Sequence, residues 1–404
     1  MIDIMKTKHD QILFMVFFFL STIVSVQEYR GQVIGDNNAG IGFAHVFFQN
    51  DQSRGSTSNE IGEFAIYVTE ANKGDSLVIS VLGYKTKFIP YAEIEEHNNI
   101  IKLNSSALLL NEITTTSDSY FKSIIKEAIA KIPENYPVEK HLQKAYYQNY
   151  TISDTSYSEM IEADFQLISN GYQHDKLKEE VYLNQLRRTE DNRNLPAMLR
   201  HNRNGIFITL FKNRVYHRSL SKWGFKKDLN TIDEFISSVD DIGSLLFHSQ
   251  SIQDGDTILT IKVSDPLLKI NNSSPLYTFL SINLRDKAIV KMVFGDPWSE
   301  KKDFEEVVYR KIHDRYYPAY MRRVSNFEFD KKTKKHYTSH CILFYDLVTG
   351  KQNIKACKKG KKMKIERGLR QIKMNLDNSF WENYPYSNQL SATSILRSKL
   401  NHYK

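Results

Sequence analysis

Cysteine is nearly absent from this chain: Cys341 and Cys357 are its two in 404 residues. That excludes a disulfide-dense scaffold, and a core this long does not need such staples. In an oxidising compartment the two can pair and close a loop of about 15 residues, worth ~3 kcal/mol in the chain-entropy view; the other reading is two independent thiols. Glycine and proline are also sparse, at 17 and 9, against 23 Tyr and 23 Phe. Many aromatics with few chain breakers suit long β-strands. Hydrophobic residues make up 41% and charged residues 25%, which excludes intrinsic disorder.

Catalytic signatures are missing as well. None of the twelve histidines is followed three residues later by Glu, so neither a His-x-x-Glu zinc pair nor a His-Glu-x-x-His zinc motif is present. His174 comes nearest, but Leu177 fills that place and the first Glu is Glu179. His336 and His340 lie four apart in an alternating segment, so they share a sheet face at a wider spacing than a helix offers and read as sheet-surface histidines. There is no Gly-x-Ser-x-Gly elbow, no Gly-x-x-x-x-Gly-Lys phosphate loop and no Gly-x-Gly-x-x-Gly turn. Carboxylates gather at Glu159, Glu162 and Asp164 and again at Glu234, Asp240 and Asp241; they read as solvated faces. No catalytic, cofactor-binding or metal-binding residue is assigned, and no cofactor is expected.

Long apolar runs are confined to one place. Lys6 and Lys8 precede a nearly unbroken apolar stretch at 12–26, and Gln27, Glu28 and Arg30 follow at once. The run has the length of a secretory signal and is short for a membrane-spanning helix. Residues 1–26 are therefore expected to direct export, with cleavage near Val26; retention as an anchor is the other reading. No Cys follows the run, which closes the route of diacylating one. The formal charge of +8 is uneven: the segment from Lys351 to Lys373 holds ten Lys or Arg against one Glu. It reads as a solvated hairpin or loop, or as a contact for anionic lipid or glycan at a membrane surface. Nucleic acid is not expected as a partner of an exported chain.

The stretch 29–116 reads as short strands separated by turn signals. Strands are expected at 29–34, 44–49, 64–68, 77–82, 84–89, 100–103 and 113–116. Turns fall at Gly35 to Gly40, Asn59-Glu60-Ile61-Gly62 and Lys73-Gly74-Asp75, with Gly62 supplying a positive φ. Such spacing argues for an antiparallel sandwich. The segments GQVIGDNNAGIGFAHVFF, GSTSNEIGEFAI, GDSLVISVLGYKTKFIP and LNEITT resemble the carboxypeptidase regulatory-like domain, a module of Bacteroidetes envelope proteins and of TonB-dependent receptor N-termini. Gly31, Val33, Asn59, Gly62, Phe64, Gly83, Tyr84, Leu110 and Glu112 fill its pattern. The resemblance implies a transthyretin-like or prealbumin-like β-sandwich over 27–117, and a domain that carries no catalytic residues of its own.

From 118 to 404 an α+β domain is expected. Tyr120, Ile124, Ile125, Ala128 and Ile132 recur at helical spacing, and Pro133 stops that helix. Helical spacing also marks 195–199 and 231–246, the latter opened by a Thr231/Glu234 capping box. Strands are expected at 146–153, 157–168, 181–188, 257–263, 277–283, 288–295, 305–312, 317–329 and 337–348. Hairpin turns fall at Asp154-Thr155-Ser156, Asp254-Gly255-Asp256, Arg285-Asp286-Lys287 and the basic turn 330–335. The whole is mainly β, a large antiparallel sheet of half-barrel form carrying one or two helices. Tyr146, Tyr147, Tyr150, Tyr157, Tyr309, Tyr316, Tyr317 and Tyr320 either pack the sheet or line a stacking groove. This region, with its IIKEAIAKIPENYP, YSEMIEADFQLISNGY and FWENYPY segments, resembles proteins that share the first domain and supply no site residues. The function expected is a non-enzymatic interaction protein of the periplasm or outer membrane, binding a protein, glycan or lipid. The alternative is a secreted hydrolase of metallocarboxypeptidase type. An outer-membrane transporter is not expected, because 404 residues are short for a plug and a large barrel.

Overall fold

The structure is a computed structural model that describes residues 27–94, 99–106, 118–153, 156–171, 179–188, 244–264, 277–298, 303–328, 335–363, 369, 372, 377–382 and 384. The expected export segment, His174, Leu110, Glu112, the strand at 113–116, the helical stretch at 195–199, the basic turn at 330–334 and Glu234, Asp240 and Asp241 lie outside these residues.

The fold is mainly β. The N-terminal part contains β1 (Gln27–Ile34), β2 (His45–Phe48), β3 (Asp51–Thr57), β4 (Glu63–Val68), β5 (Ser76–Ser80), β6 (Lys87–Pro90) and β7 (Asn99–Lys102). One layer has the order β4-β1-β7 and the other β3-β2-β5-β6. Side-chain alternation sends Tyr29, Val33, Val46, Phe48, Phe64, Ile66, Leu77, Ile79 and Ile101 into one shared core. The expected sandwich needs two corrections. The first is that β1 and β7 run parallel, because the chain crosses from the second layer before it pairs. A second correction is β3, whose DQSRGST sequence has no apolar alternation. Its ladder to β2 makes it a strand. Gly62 has φ +86°, as expected, and an added Cβ would fall 2.1 Å from the Val33 carbonyl oxygen. Asn59 braces the same turn, its Oδ1 accepting from the Ile61 and Glu63 amides at 3.0 and 2.8 Å.

The remainder begins with the helix Asp118–Ala130, whose Phe121, Ile124, Ile125, Ala128 and Ile129 form its buried stripe. Pro133 does not simply end the helical region. It sits at the start of a second short helix, Ile132–Asn135, where its missing N–H costs nothing. Then come β8 (His141–Ser153), β9 (Ser156–Ser169), β10 (Glu179–Arg188), β11 (Ser244–Gln253), β12 (Asp256–Ser264), β13 (Tyr277–Asn283), β14 (Ala288–Asp296), β15 (Asp303–Ile312), β16 (Arg315–Glu328), β17 (Lys335–Thr349) and β18 (Lys361–Met363). They form one curled antiparallel half-barrel in the order β11-β12-β13-β14-β15-β16-β17-β8-β9-β10-β18. The helical expectation at 231–246 is corrected at its end, since Ser244 to Leu246 belong to β11 and pair with β12. The basic segment is also corrected. Its first part is the helix Lys351–Cys357, followed by β18, which pairs with β10.

The helix Asp118–Ala130 lies on one face of this sheet. There it shares a core with Ala145, Tyr147, Phe165, Leu183, Leu280 and Met321. The opposite, outer face receives the sandwich. Beyond Leu343, β16 no longer pairs with β17, and β3 takes its place through Asp346 and Arg54.

Candidate functional site

The sandwich meets the half-barrel along two seams. On one, Phe43 stacks on Tyr320 with centroids 4.6 Å apart, and Glu60 pairs with Arg322 at 2.8 Å. Phe43 holds a left-handed φ of 62° to do so, a backbone cost of about 1–2 kcal/mol that its stacking and burial offset. On the other, Gln253 Nε2 donates to Ser80 Oγ at 3.0 Å and the Ile252 amide to the Ser106 carbonyl at 3.4 Å. Between the seams the two surfaces part and leave a half-open cavity of about 420 Å3. Its floor is the end of the half-barrel where the β11–β12, β13–β14 and β15–β16 hairpins turn, with Asp254, Asn283 and His313 at or beside those turns.

Alternation decides which side chains face this space. Val46, Phe48, Leu77 and Ile79 point into the sandwich core, so His45, Phe47, Val78 and Ser80 point to the cavity. His45 is 6% exposed, and its Nδ1 has no hydrogen-bond partner. Burial, and then the neighbouring Arg310 charge, hold its imidazole down at about 3, so the ring is neutral at physiological pH. Arg310 comes from β15 and lies on the opposite wall. Its Nη1 is 3.0 Å from where a Cβ on Gly55 would stand; glycine at that place in β3 lets the guanidinium reach in. The rim charges are paired: Lys311 with Asp286 at 2.8 Å, and Asp256 with Arg285.

His45 carries a pH signature. Its folded pKa lies below the unfolded value, so the unfolded state binds the extra proton between about pH 6.5 and 3. Stability is whole above pH 6.5 and falls with acidification by about 1.4 kcal/mol per unit. Compared with His45→Gln, the wild type should lose about 2 kcal/mol more between pH 6.5 and pH 5. Urea unfolding at both pH values checks this, and parallel curves for the two proteins would contradict it.

The carboxylates expected on a solvated face are buried instead. Register places Arg187, Glu162, Gln148, Cys341, Arg322 and Glu306 side by side across six strands of the outer face. Glu162 accepts from Arg187 Nε and from the Tyr146 hydroxyl. Asp164 accepts from Tyr345 and Tyr384 at 2.7 and 2.6 Å. Burial pushes the Asp164 carboxyl up, against hydrogen bonds from Tyr384, Asn184 and Tyr345 that hold it down. Glu159 is buried too. The row is sealed by Phe43 and Glu60 of the sandwich at one end and by Trp381 and Tyr384 at the other.

The paired histidines are likewise buried and not on the sheet surface. His340 Nδ1 lies 3.1 Å from the Tyr147 hydroxyl and 2.8 Å from Asn149 Nδ2, and His336 Nδ1 lies 2.9 Å from Ser153 Oγ. The tyrosines pack the sheet: Tyr146, Tyr147, Tyr150, Tyr309, Tyr316, Tyr317 and Tyr320 are buried, while the Tyr157 side chain lies outside the described residues. Tyr309 and Tyr316 also reach the cavity. Cys341 and Cys357 are both free. Burial pushes the Cys341 thiol up, so it stays protonated and is a poor nucleophile. Among the described residues no three His, Cys, Asp or Glu side chains gather around a common point. Neither His45 nor Arg310 stood out in the sequence, although an arginine two places after Val308 inside a buried strand was a signal.

The comparisons bear on the first unit. The CarboxypepD_reg-like domain family matches residues 29–115. That segment is a CarboxypepD_reg-like domain. The regulatory-like domain thus supplies the His45 wall of the cavity, and the half-barrel supplies the Arg310 wall. No curated protein matches the chain. Among solved structures, a DUF1329 family protein from Desulfovibrio piger is 11% identical, covering 56% of this chain and 91% of its own, with a TM-score of 0.25. A LolA superfamily protein from Nitrosomonas europaea is 10% identical, covering 61% and 99%, with a TM-score of 0.24. Lipoprotein LppX from Mycobacterium tuberculosis is 10% identical, covering 56% and 94%, with a TM-score of 0.20. Scores of this size do not establish a common fold.

Proposed function

We propose that this chain is a non-catalytic binding protein of the cell envelope, and that its ligand occupies the cavity between the regulatory-like domain and the half-barrel. The observation that carries the reading is a pocket of about 420 Å3 between the two units, with the buried His45, whose Nδ1 has no hydrogen-bond partner, on its wall. Buried polar atoms are nearly always hydrogen-bonded, and the volume falls within the ~300–1,000 Å3 of small-molecule sites. The basic and apolar start of the sequence supports export. Among the described residues, no helix is long and apolar enough to cross a membrane. In this reading 27–117 and 118–404 are two units whose joint face makes the site, with residues 1–26 removed on export.

The test is thermal unfolding of the protein with and without an envelope extract, alongside Val78→Trp, which fills the cavity from the sandwich side. A ligand at 100 times its Kd stabilises the folded state by about 2.7 kcal/mol. The extract is expected to raise the Tm of the wild type and leave the variant unmoved. An equal rise in both proteins, or a rise in neither, would sink the proposal.

A further inference from the structure

Register lays out the sandwich wall of the cavity in strips. Phe47 of β2 pairs with Val78 of β5, and Val78 with Phe88 of β6. Their side chains therefore stand side by side across three strands on the cavity face. Along one edge of this strip lie His45 and Ser80, themselves a cross-strand pair, and beyond the other edge stands Gln49. The wall is thus a narrow apolar strip with two aromatic rings, bordered on both sides by polar groups. From the half-barrel, Asp254 brings an exposed carboxylate in the β11–β12 turn. Charge on the lining is balanced, with Arg310 and Lys311 against Asp254 and Asp256. Lys311 and Asp256 are also held in ion pairs with Asp286 and Arg285. A charged ligand would gain at one group what it loses at another.

We infer that the cavity binds a short uncharged glycan, with one ring face against Phe47 and Phe88 and its hydroxyls on His45, Gln49 and Asp254. This rests on the cavity being the ligand site. A pyranose ring has the same two-sided chemistry as the wall, with C–H bonds on its face and hydroxyls round its edge. The aromatic strip takes the face. Phe88 is 55% exposed, so it gains burial when a ring covers it. A hydroxyl both donates and accepts, so it satisfies the unmet His45 Nδ1 in either tautomer of the neutral imidazole. It also donates to the Gln49 amide oxygen or to the Asp254 carboxylate. An alkyl chain would strip water from these polar borders and return no hydrogen bond. An extended peptide needs a free strand edge for its backbone, and this wall is a sheet face.

The test is binding of the full chain to an array of neutral, acidic and basic oligosaccharides, with the affinities of the bound members measured by titration calorimetry. Neutral members should bind, and charged analogues of the same glycan should bind no tighter. Phe88→Ala should weaken a bound neutral glycan about tenfold, equivalent to about 1.4 kcal/mol, while Phe88→Trp should keep the affinity. Phe88 is an exposed residue, so neither variant disturbs a core. Val78→Trp should abolish the binding. Preference for charged members by tenfold or more, or equal affinity of wild type and Phe88→Ala, overturns the assignment of an uncharged ring on this strip. Glycan binding that survives Val78→Trp places the site elsewhere and overturns both readings. Binding of no member overturns the glycan, while the envelope-extract experiment with Val78→Trp still judges the cavity.

Discussion

Replacing Arg187 with alanine is expected to destabilise the chain by about 3–5 kcal/mol, the cost of stranding one member of a buried ion pair. Glu162 is 0% exposed and takes its charged hydrogen bond from Arg187. The Tyr146 hydroxyl stays as its other donor, yet one neutral hydroxyl does not balance a carboxylate in the sheet interior. Arg187 also lies 4.5 Å over the Trp381 ring, so the variant loosens the segment that seals the outer face. The pair itself is a different matter. Buried ion pairs exchanged for apolar residues of similar size are often neutral in stability, so Arg187→Met combined with Glu162→Leu should recover most of the loss. Urea unfolding of the three variants measures both effects. A single-variant loss under about 1 kcal/mol would mean that water reaches Glu162.

Phe64→Ala should cost about 3–5 kcal/mol. Phe64 is 3% exposed and sits at the middle of the sandwich, opposite Gly31 and 5.9 Å from the Tyr29 ring. Truncation opens a hole that two short sheets, pinned together by their turns, cannot close. Tyr67 is the internal control. It lies three residues along the same strand but is 41% exposed, and Tyr67→Ala should cost less than about 1 kcal/mol. Equal losses from the two substitutions would show that the register assigned to this strand is wrong. Because the sandwich supplies one wall of the cavity, Phe64→Ala should also weaken ligand binding, and its thermal shift with envelope extract should shrink.

Strand positions were readable wherever apolar and polar residues alternate, as in β4, β12 and β14, and the first helix was readable from its 3–4 spacing. Turns were readable where their chemistry is local: Asn59 and Gly62 specify theirs through one side chain and one positive φ. Polar strands were not. DQSRGST is a strand because β2 lies beside it, and nothing within those seven residues says so. Ser244 to Leu246 carry helical spacing by coincidence, and pairing with β12 overrides it. Buried charge was the other blind spot. Glu162, Asp164 and the histidines have the composition of a solvated face, and only their cross-strand neighbours make burial tolerable.

Local pattern alone indicated a mainly-β chain, a small sandwich ahead of a large antiparallel sheet, the helix that begins at 118, and a sequence without metal or nucleophile motifs. Those properties depend on neighbours within a few residues, where periodicity and turn preference act. The parallel β1–β7 pair, the insertion of β3 beside β17, the charged row across the outer face and the meeting of His45 with Arg310 all needed the folded chain. Each depends on which strands lie side by side, and that choice is made by the total burial of two curved sheets. No one segment carries it. The cavity is the clearest case, because it exists only where two surfaces fixed at their edges fail to touch.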